Sequence, residues 1–143
     1  MKNSLFILFL FLAVSNIQSQ ILKVTPTNPT TDDSVTIVFD ARAGNKGIVN
    51  FNGQVYIHCG LITTQSSNGS DWKNVATKWA TDDTLARMHR IDSNRYWIGF
   101  NVRKFFTVLP AQQVLRLAML FRNVDGSKVG RSSSNNEIGR AHV

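Results

Sequence analysis

Outside its last seven residues the sequence contains no glutamate, and every acidic side chain in that stretch is an aspartate, most of them in turn-like contexts. Hydrolysis of a glycoside takes two carboxyl groups on opposite sides of the bond, one with a raised pKa. Turn aspartates are poor material for such a pair. Cysteine is nearly absent as well. The lone Cys59 excludes an internal disulfide and a cysteine-rich zinc site, and its place in a strand-like run marks it as a small, inert core residue. There is no phosphate-binding Walker loop, no dinucleotide glycine motif, no HExxH and no GxSxG elbow. His58 and His89 with many serines allow a Ser-His-Asp set on paper, but no nucleophile motif frames one. Asp32-Asp33 and Asp82-Asp83 lack the ligand spacing of a calcium loop and suit turns and caps. The expectation is a domain that is not an enzyme, with no cofactor and no metal.

Long apolar runs are scarce too. The one near the start, Leu5 to Val14, is ten residues, where a membrane span needs about 20. With Lys2 before it and small polar residues after it, residues 1–19 read as a secretory signal peptide cut near Ser19 and Gln20, which implies a secreted or cell-surface protein with no membrane span. At the other end "EIGRAHV", Glu137 to Val143, back-translates to a common short-read sequencing adapter. Residues 137–143 are therefore expected to be a non-native scar, the domain to be residues 20–136, and its closing strand to be lost by truncation.

The whole chain carries 16 basic and 9 acidic residues; without Lys2, Arg140 and Glu137 these become 14 and 8, a balance of +6. Such an excess suits nucleic acid or anionic membrane. Yet Lys46, Lys73, Lys78, Arg87, Arg90, Arg103, Lys104, Arg122 and Arg131 are scattered, and a secreted location disfavours nucleic acid. The charge reads as solvated surface.

What is abundant is two-residue alternation. "SVTIVFDA" sets Val35, Ile37 and Phe39 against Thr36, Val38 and Asp40. "VYIHCG" sets Val55, Ile57 and Cys59 against Tyr56 and His58, "RYWIGF" sets Tyr96, Ile98 and Phe100 against Trp97 and Gly99, and "VLRLAMLFRN" sets Leu115, Leu117, Met119 and Phe121 against Val114, Arg116, Ala118 and Leu120. Turn clusters separate these runs, including "AGNKG", "QSSNGSD" with its glycosylation sequon at Asn68, and "NVDGS" with a hairpin signal at Asp125-Gly126. Only "VRKFFTVLP" and "TDDTLARM" suit a helical turn, the latter with Thr81 as its cap. Short strands between turns predict an all-β, immunoglobulin-like antiparallel β-sandwich without the paired cysteines of a true immunoglobulin domain.

The aromatic residues carry the functional signal. Tyr56 and His58 share the non-core face of one strand, and "DWKNV" places Trp72 and Lys73 at the start of the next extended segment. A flat aromatic platform with polar groups at its rim suits a sugar, whose C–H face stacks while its hydroxyls take hydrogen bonds. The bland reading is that Tyr56, His58 and Trp72 cover one another at a sheet edge. Trp79 is expected to pack over the sandwich end and Trp97 to cover the outer face.

In order, "TPTNPTTDDSVTIVFDARAGNKGI", "VYIHCG", "SDWKNVATKW", "RYWIGF" and "LAMLFRNVDGSKVGR" resemble the starch-binding, immunoglobulin-like module that precedes the catalytic barrel in secreted bacterial alpha-amylases. The resemblance covers nearly all of Leu22 to Ser134. It implies a carbohydrate-binding module that docks a downstream catalytic domain in cis onto α-glucan polysaccharide or maltooligosaccharide. Its aromatic-or-His strand plus a following Trp fall on Tyr56, His58 and Trp72, with Lys73 as a hydroxyl partner. Cys59 departs from the pattern, standing where Thr or another small polar residue is expected. The competing expectation is a structural spacer or adhesion domain with no sugar site.

Overall fold

The computed structural model describes residues 20–134 and, at the level of the backbone, 138–142; the expected signal peptide lies outside them. The strands are β1 (Leu22–Thr25), β2 (Ser34–Asp40), β3 (Tyr56–Thr63), β4 (His89–Arg90), β5 (Arg95–Asn101), β6 (Val114–Arg122), β7 (Val129–Gly130) and β8 (Ile138–His142), with one short helix, α1 (Val102–Phe106). They form two antiparallel sheets. The first, sheet A, has the order β1-β2-β5-β4; the second, sheet B, has β3-β6-β7, with β8 also on β6. The protein is an all-β antiparallel sandwich.

The alternation seen in the sequence builds the interface between the sheets. Val35, Ile37 and Phe39 of β2 and Tyr96 and Ile98 of β5 are buried, and from sheet B so are Ile57, Cys59, Leu61, Leu117, Met119 and Phe121. Phe39 and Phe121 stack across the gap with ring centres 4.0 Å apart, a contact that adds specific ring attraction to area burial. Cys59 is fully buried there, and burial pushes its thiol pKa well up, so it is inert packing.

Two local expectations are corrected. Along β6 the strict alternation fails at its start: Val114 is buried and Leu115 is 43% exposed. The cause is a bulge, because β3 passes from Ile62 opposite Arg116 to Thr63 opposite Val114 and skips Leu115. In "TDDTLARM" a single 3-10 turn forms over Thr84–Ala86, and its cap is Asp83, which accepts a hydrogen bond from the Leu85 N–H, rather than Thr81. α1 begins at Asn101, whose side chain caps the Lys104 N–H.

The aspartates serve turns and ion pairs. Asp33 accepts from the Thr30 N–H and hydroxyl. Arg42–Asp40, Lys73–Asp71, Arg87–Asp82, Arg95–Asp92 and Arg103–Asp32 are paired, so five of the basic side chains are answered locally and the excess rests on the others. Asp125 and Gly126 shape the β6–β7 turn, with Gly126 at φ +73° and Asp125 accepting from Ser127. Beyond β7, the Ile138–His142 backbone of the expected scar lies antiparallel on β6 from Arg116 to Met119, along the edge expected to be bare.

The bulge yields a test. Leu115→Ser is expected to change stability by no more than about 0.5 kcal/mol, as for other exposed positions. Leu117→Ala, two residues on, is expected to cost about 2–5 kcal/mol. Urea denaturation of both variants checks this; equal losses would restore strict alternation.

Candidate functional site: an aromatic surface on the outer face of sheet B

On the outer face of sheet B, β3 presents Tyr56, His58 and Gly60, and β6 presents Arg122, Leu120 and Ala118 directly opposite them. Residues 72–83 fold over this face as a partial third layer. Gly60 lets them approach: a Cβ there would sit 3.0 Å from the Trp72 Cβ and 3.1 Å from the Lys73 carbonyl oxygen. The close approach lets Leu61 and Lys73 exchange both backbone hydrogen bonds, at 2.8 and 2.7 Å, a single antiparallel bridge that sets Trp72 beside β3. The final glycine of "VYIHCG" thus brings the tryptophan to the histidine.

Further along, Thr77 fixes the overlay to the strand. Its hydroxyl accepts from the Cys59 N–H at 3.2 Å and lies 3.0 Å from His58 Nδ1. In the tautomer where the hydroxyl donates to Nδ1, His58 carries its hydrogen on Nε2 and presents a donor there; in the other, Nδ1–H donates to the hydroxyl and Nε2 presents an acceptor. Burial, then the charge of Arg122, lowers the His58 pKa and favours the neutral imidazole. The half-buried imidazole lies between two indoles. Trp72 is 5.8 Å away with its plane tilted by 33°, and Trp79 is 5.1 Å away, edge-on at 73°.

Arg122 sits under the overlay, fully buried. Its guanidinium donates to the carbonyls of Asn123 and Val124 on one side and of Lys78 and Thr81 on the other. It also stands 4.8 Å from the centre of the Tyr56 ring and 5.6 Å from that of Trp79. Among the described residues its Nε has no hydrogen-bond partner, and the ring faces supply the remaining electrostatic compensation.

The expected site residues divide accordingly. His58 and Trp72 come together. Tyr56 is corrected: it lies on the expected face but is only 2% exposed, covered by Arg122 and donating its hydroxyl proton to Asp82 at 2.7 Å. Asp82, also paired with Arg87, has its pKa drawn down to about 2 by Arg87 first and Tyr56 second. Lys73 is half-buried at the rim, with Nζ held 2.9 Å from Asp71. Trp79, expected to pack over the sandwich end, is instead the second indole beside His58. It is 42% exposed and packs against the Asp125-Gly126 turn, where a Cβ on Gly126 would come within 2.9 Å of the indole. The "WKNVATKW" spacing put both indoles on one segment, but only the fold back onto β3 shows that they meet the same imidazole.

The site is an open surface. Two concavities lie elsewhere: one of about 690 Å³ lined by Gln20, Arg42, Lys46 and Ser132, and one of about 210 Å³ lined by Thr63, Leu109 and Gln112. Neither has an Asp or His in its wall.

Residues 22–129 match the model of a family described as a domain of unknown function (DUF8578). The chain belongs to this family. The match spans every element of the site, from β3 through the 72–83 overlay to Arg122 and the turn at Gly126. No curated protein matches the chain.

Two outcomes are expected of these family residues. Arg122→Met takes the guanidinium from the Val124, Lys78 and Thr81 carbonyls, while the Asn123 carbonyl keeps the Gly126 N–H, so it should cost about 3 kcal/mol in urea denaturation; a loss under about 0.5 kcal/mol would mean that water replaces the guanidinium freely. For His58, the folded-state pKa lies below the unfolded value near 6.5. Its neutral form therefore contributes stability that is fully present above about pH 6.5 and is lost as pH falls below it. The thermal midpoint between pH 7.5 and 5 should fall more for the wild type than for His58→Gln; parallel curves would contradict the assignment.

Proposed function

We propose that the domain is a non-catalytic binding module for α-glucan, acting on starch-like polysaccharide or maltooligosaccharide. The observation that carries the proposal is the angle between the two tryptophans. Trp72 and Trp79 are tilted by 33° and 73° to the same imidazole, so their planes differ by at least 40°. A flat β-linked ribbon stacks on coplanar rings. An α-linked chain turns between successive sugars and meets rings that turn with it. Around the indoles stand the donor and acceptor groups a sugar hydroxyl needs: His58, and the Lys73–Asp71 pair at the rim. A pyranose face that removes about 100 Å² of apolar surface from water gains roughly 2.5 kcal/mol before association costs. Each indole therefore contributes modestly, which fits a surface that must release its polymer.

The resemblance in the sequence to the starch-binding, immunoglobulin-like modules of bacterial alpha-amylases supports the same reading. On that reading the module is secreted or displayed at the cell surface and raises the local substrate concentration for a hydrolase domain linked in cis. The competing reading, a spacer or adhesion domain without a sugar site, draws on the burial of Tyr56, which is packing. It gives no role to the exposed part of Trp79.

Retention on insoluble starch tests the proposal. Trp72→Ala and Trp79→Ala should each weaken it about tenfold or more, the equivalent of about 1.4 kcal/mol, while Tyr56→Phe should retain binding and lose some stability. The purified domain should release no reducing sugar. A folded wild type that never binds starch hands the case to the spacer reading, and turnover that survives repurification refutes a purely binding role.

A further inference from the structure

The opposite side of the sandwich repeats the pairing of histidine with tryptophan. On the outer face of sheet A, Lys23, Val38, Trp97 and His89 lie in register across all four strands. His89 and Trp97 stack with ring centres 4.7 Å apart and planes 26° apart, and Trp97 is 39% exposed. In this way all three tryptophans of the chain contact a histidine ring. The next row along the face is Thr25, Thr36 and Gly99. Gly99 keeps the surface beside the indole low: a Cβ there would fit without a clash, in ordinary contact with the Val35 carbonyl oxygen at 3.5 Å, Trp97 Cζ3 at 3.6 Å and the Thr36 hydroxyl at 3.8 Å. Around the indole on this face lie Val38 in its own row, Gly99 and Thr36 in the next, and Arg95 and Asp40 in the row on the other side, where both charges are already paired, Asp40 with Arg42 and Arg95 with Asp92.

That chemistry suits a neutral polyol better than an apolar protein face. Aromatic area is flanked by hydroxyl groups that can donate and accept, and a small residue leaves room for a ring to approach. A cross-strand aromatic pair also stabilises a short edge strand such as β4, but that role asks for neither a glycine at position 99 nor the exposure of Trp97.

We propose that Trp97 and His89 form a second glucan-binding surface, so that one domain holds two α-glucan chains at once. The proposal rests on the glucan reading of the first site. The two surfaces occupy opposite outer faces of a sandwich whose sheets pack about 10 Å apart. A single glucan segment stacked on Trp72 and Trp79 cannot also lie on Trp97. The second surface therefore joins neighbouring chains of a granule, and the gain is multivalent retention on polymer with no increase in affinity for one short oligosaccharide.

The test follows the indole N–H resonances of the three tryptophans while maltoheptaose is added to the full domain. All three are expected to move in the wild type, and the Trp97 resonance is expected to keep moving in Trp79→Ala. Gly99→Gln, which adds a polar side chain beside the indole and leaves the His89–Trp97 pair in place, should hold the Trp97 resonance still while those of Trp72 and Trp79 move as before. It should also lower retention on insoluble starch about threefold or more. If Trp72 and Trp79 move and Trp97 does not, the second surface is refuted and the first site stands. If Trp97 moves equally in wild type and Gly99→Gln, the sugar is not on that face and the proposal falls. If none of the three moves, the glucan reading itself fails and takes this proposal with it.

Discussion

The outer face of sheet B depends on one buried cation. Arg122 leaves β6 on the side away from the core, where a charged side chain would ordinarily reach water, and is fully covered. Burying a guanidinium is costly unless its hydrogen-bonding protons and its charge find partners. Here four carbonyls, from two loops far apart in sequence, accept from it, and two aromatic faces take up the charge. The cost of the buried charge and the placing of the loops are therefore one problem with one solution. Segments 78–81 and 123–124 lie where they do because the guanidinium requires acceptors there. Arginine suits the position because its planar fork donates in several fixed directions at once; a lysine would offer one ammonium to the same ring of acceptors.

From that clamp the rest of the surface follows. Lys78 and Thr81 bracket Trp79, so holding their carbonyls sets the indole against the Gly126 turn and beside His58. Thr77 and the Leu61–Lys73 backbone pair hold the start of the same overlay. Tyr56 serves as the floor, and the Asp82–Arg87 pair caps its hydroxyl. The aromatic rings that face water are thus positioned by groups that do not. On the proposed function this means that the geometry offered to a sugar is present before the sugar arrives, which limits the ordering cost of binding.

The residues legible in the sequence were those whose signal is local. β2, β3, β5 and β6 follow from alternation, and the core set Ile37, Phe39, Ile57, Cys59, Leu117, Met119 and Phe121 follows with them. What escaped depends on partners distant in the chain. Nothing near Leu115 marks the bulge, since it is a property of the register between β3 and β6. Alternation alone puts Tyr56 on the outer face, but its burial comes from Arg122, 66 positions later and directly opposite in the sheet. Trp79 looked like end packing because the clamp that turns its segment back onto β3 is likewise long-range. Asp83 displaced Thr81 as the cap by only two residues, within the usual uncertainty at an element's end.

The central claim is that the turned pair of indoles selects an α-linked chain. The measurement that tests it most directly is the affinity of the intact domain for maltoheptaose against a cello-oligosaccharide of similar length, by isothermal titration in the same buffer. The account predicts binding of the α-linked oligosaccharide at least about tenfold tighter, a difference of about 1.4 kcal/mol, and loss of that preference in Trp79→Ala. Equal affinity for the two linkages, or a preference for the flat β-linked chain, would contradict it.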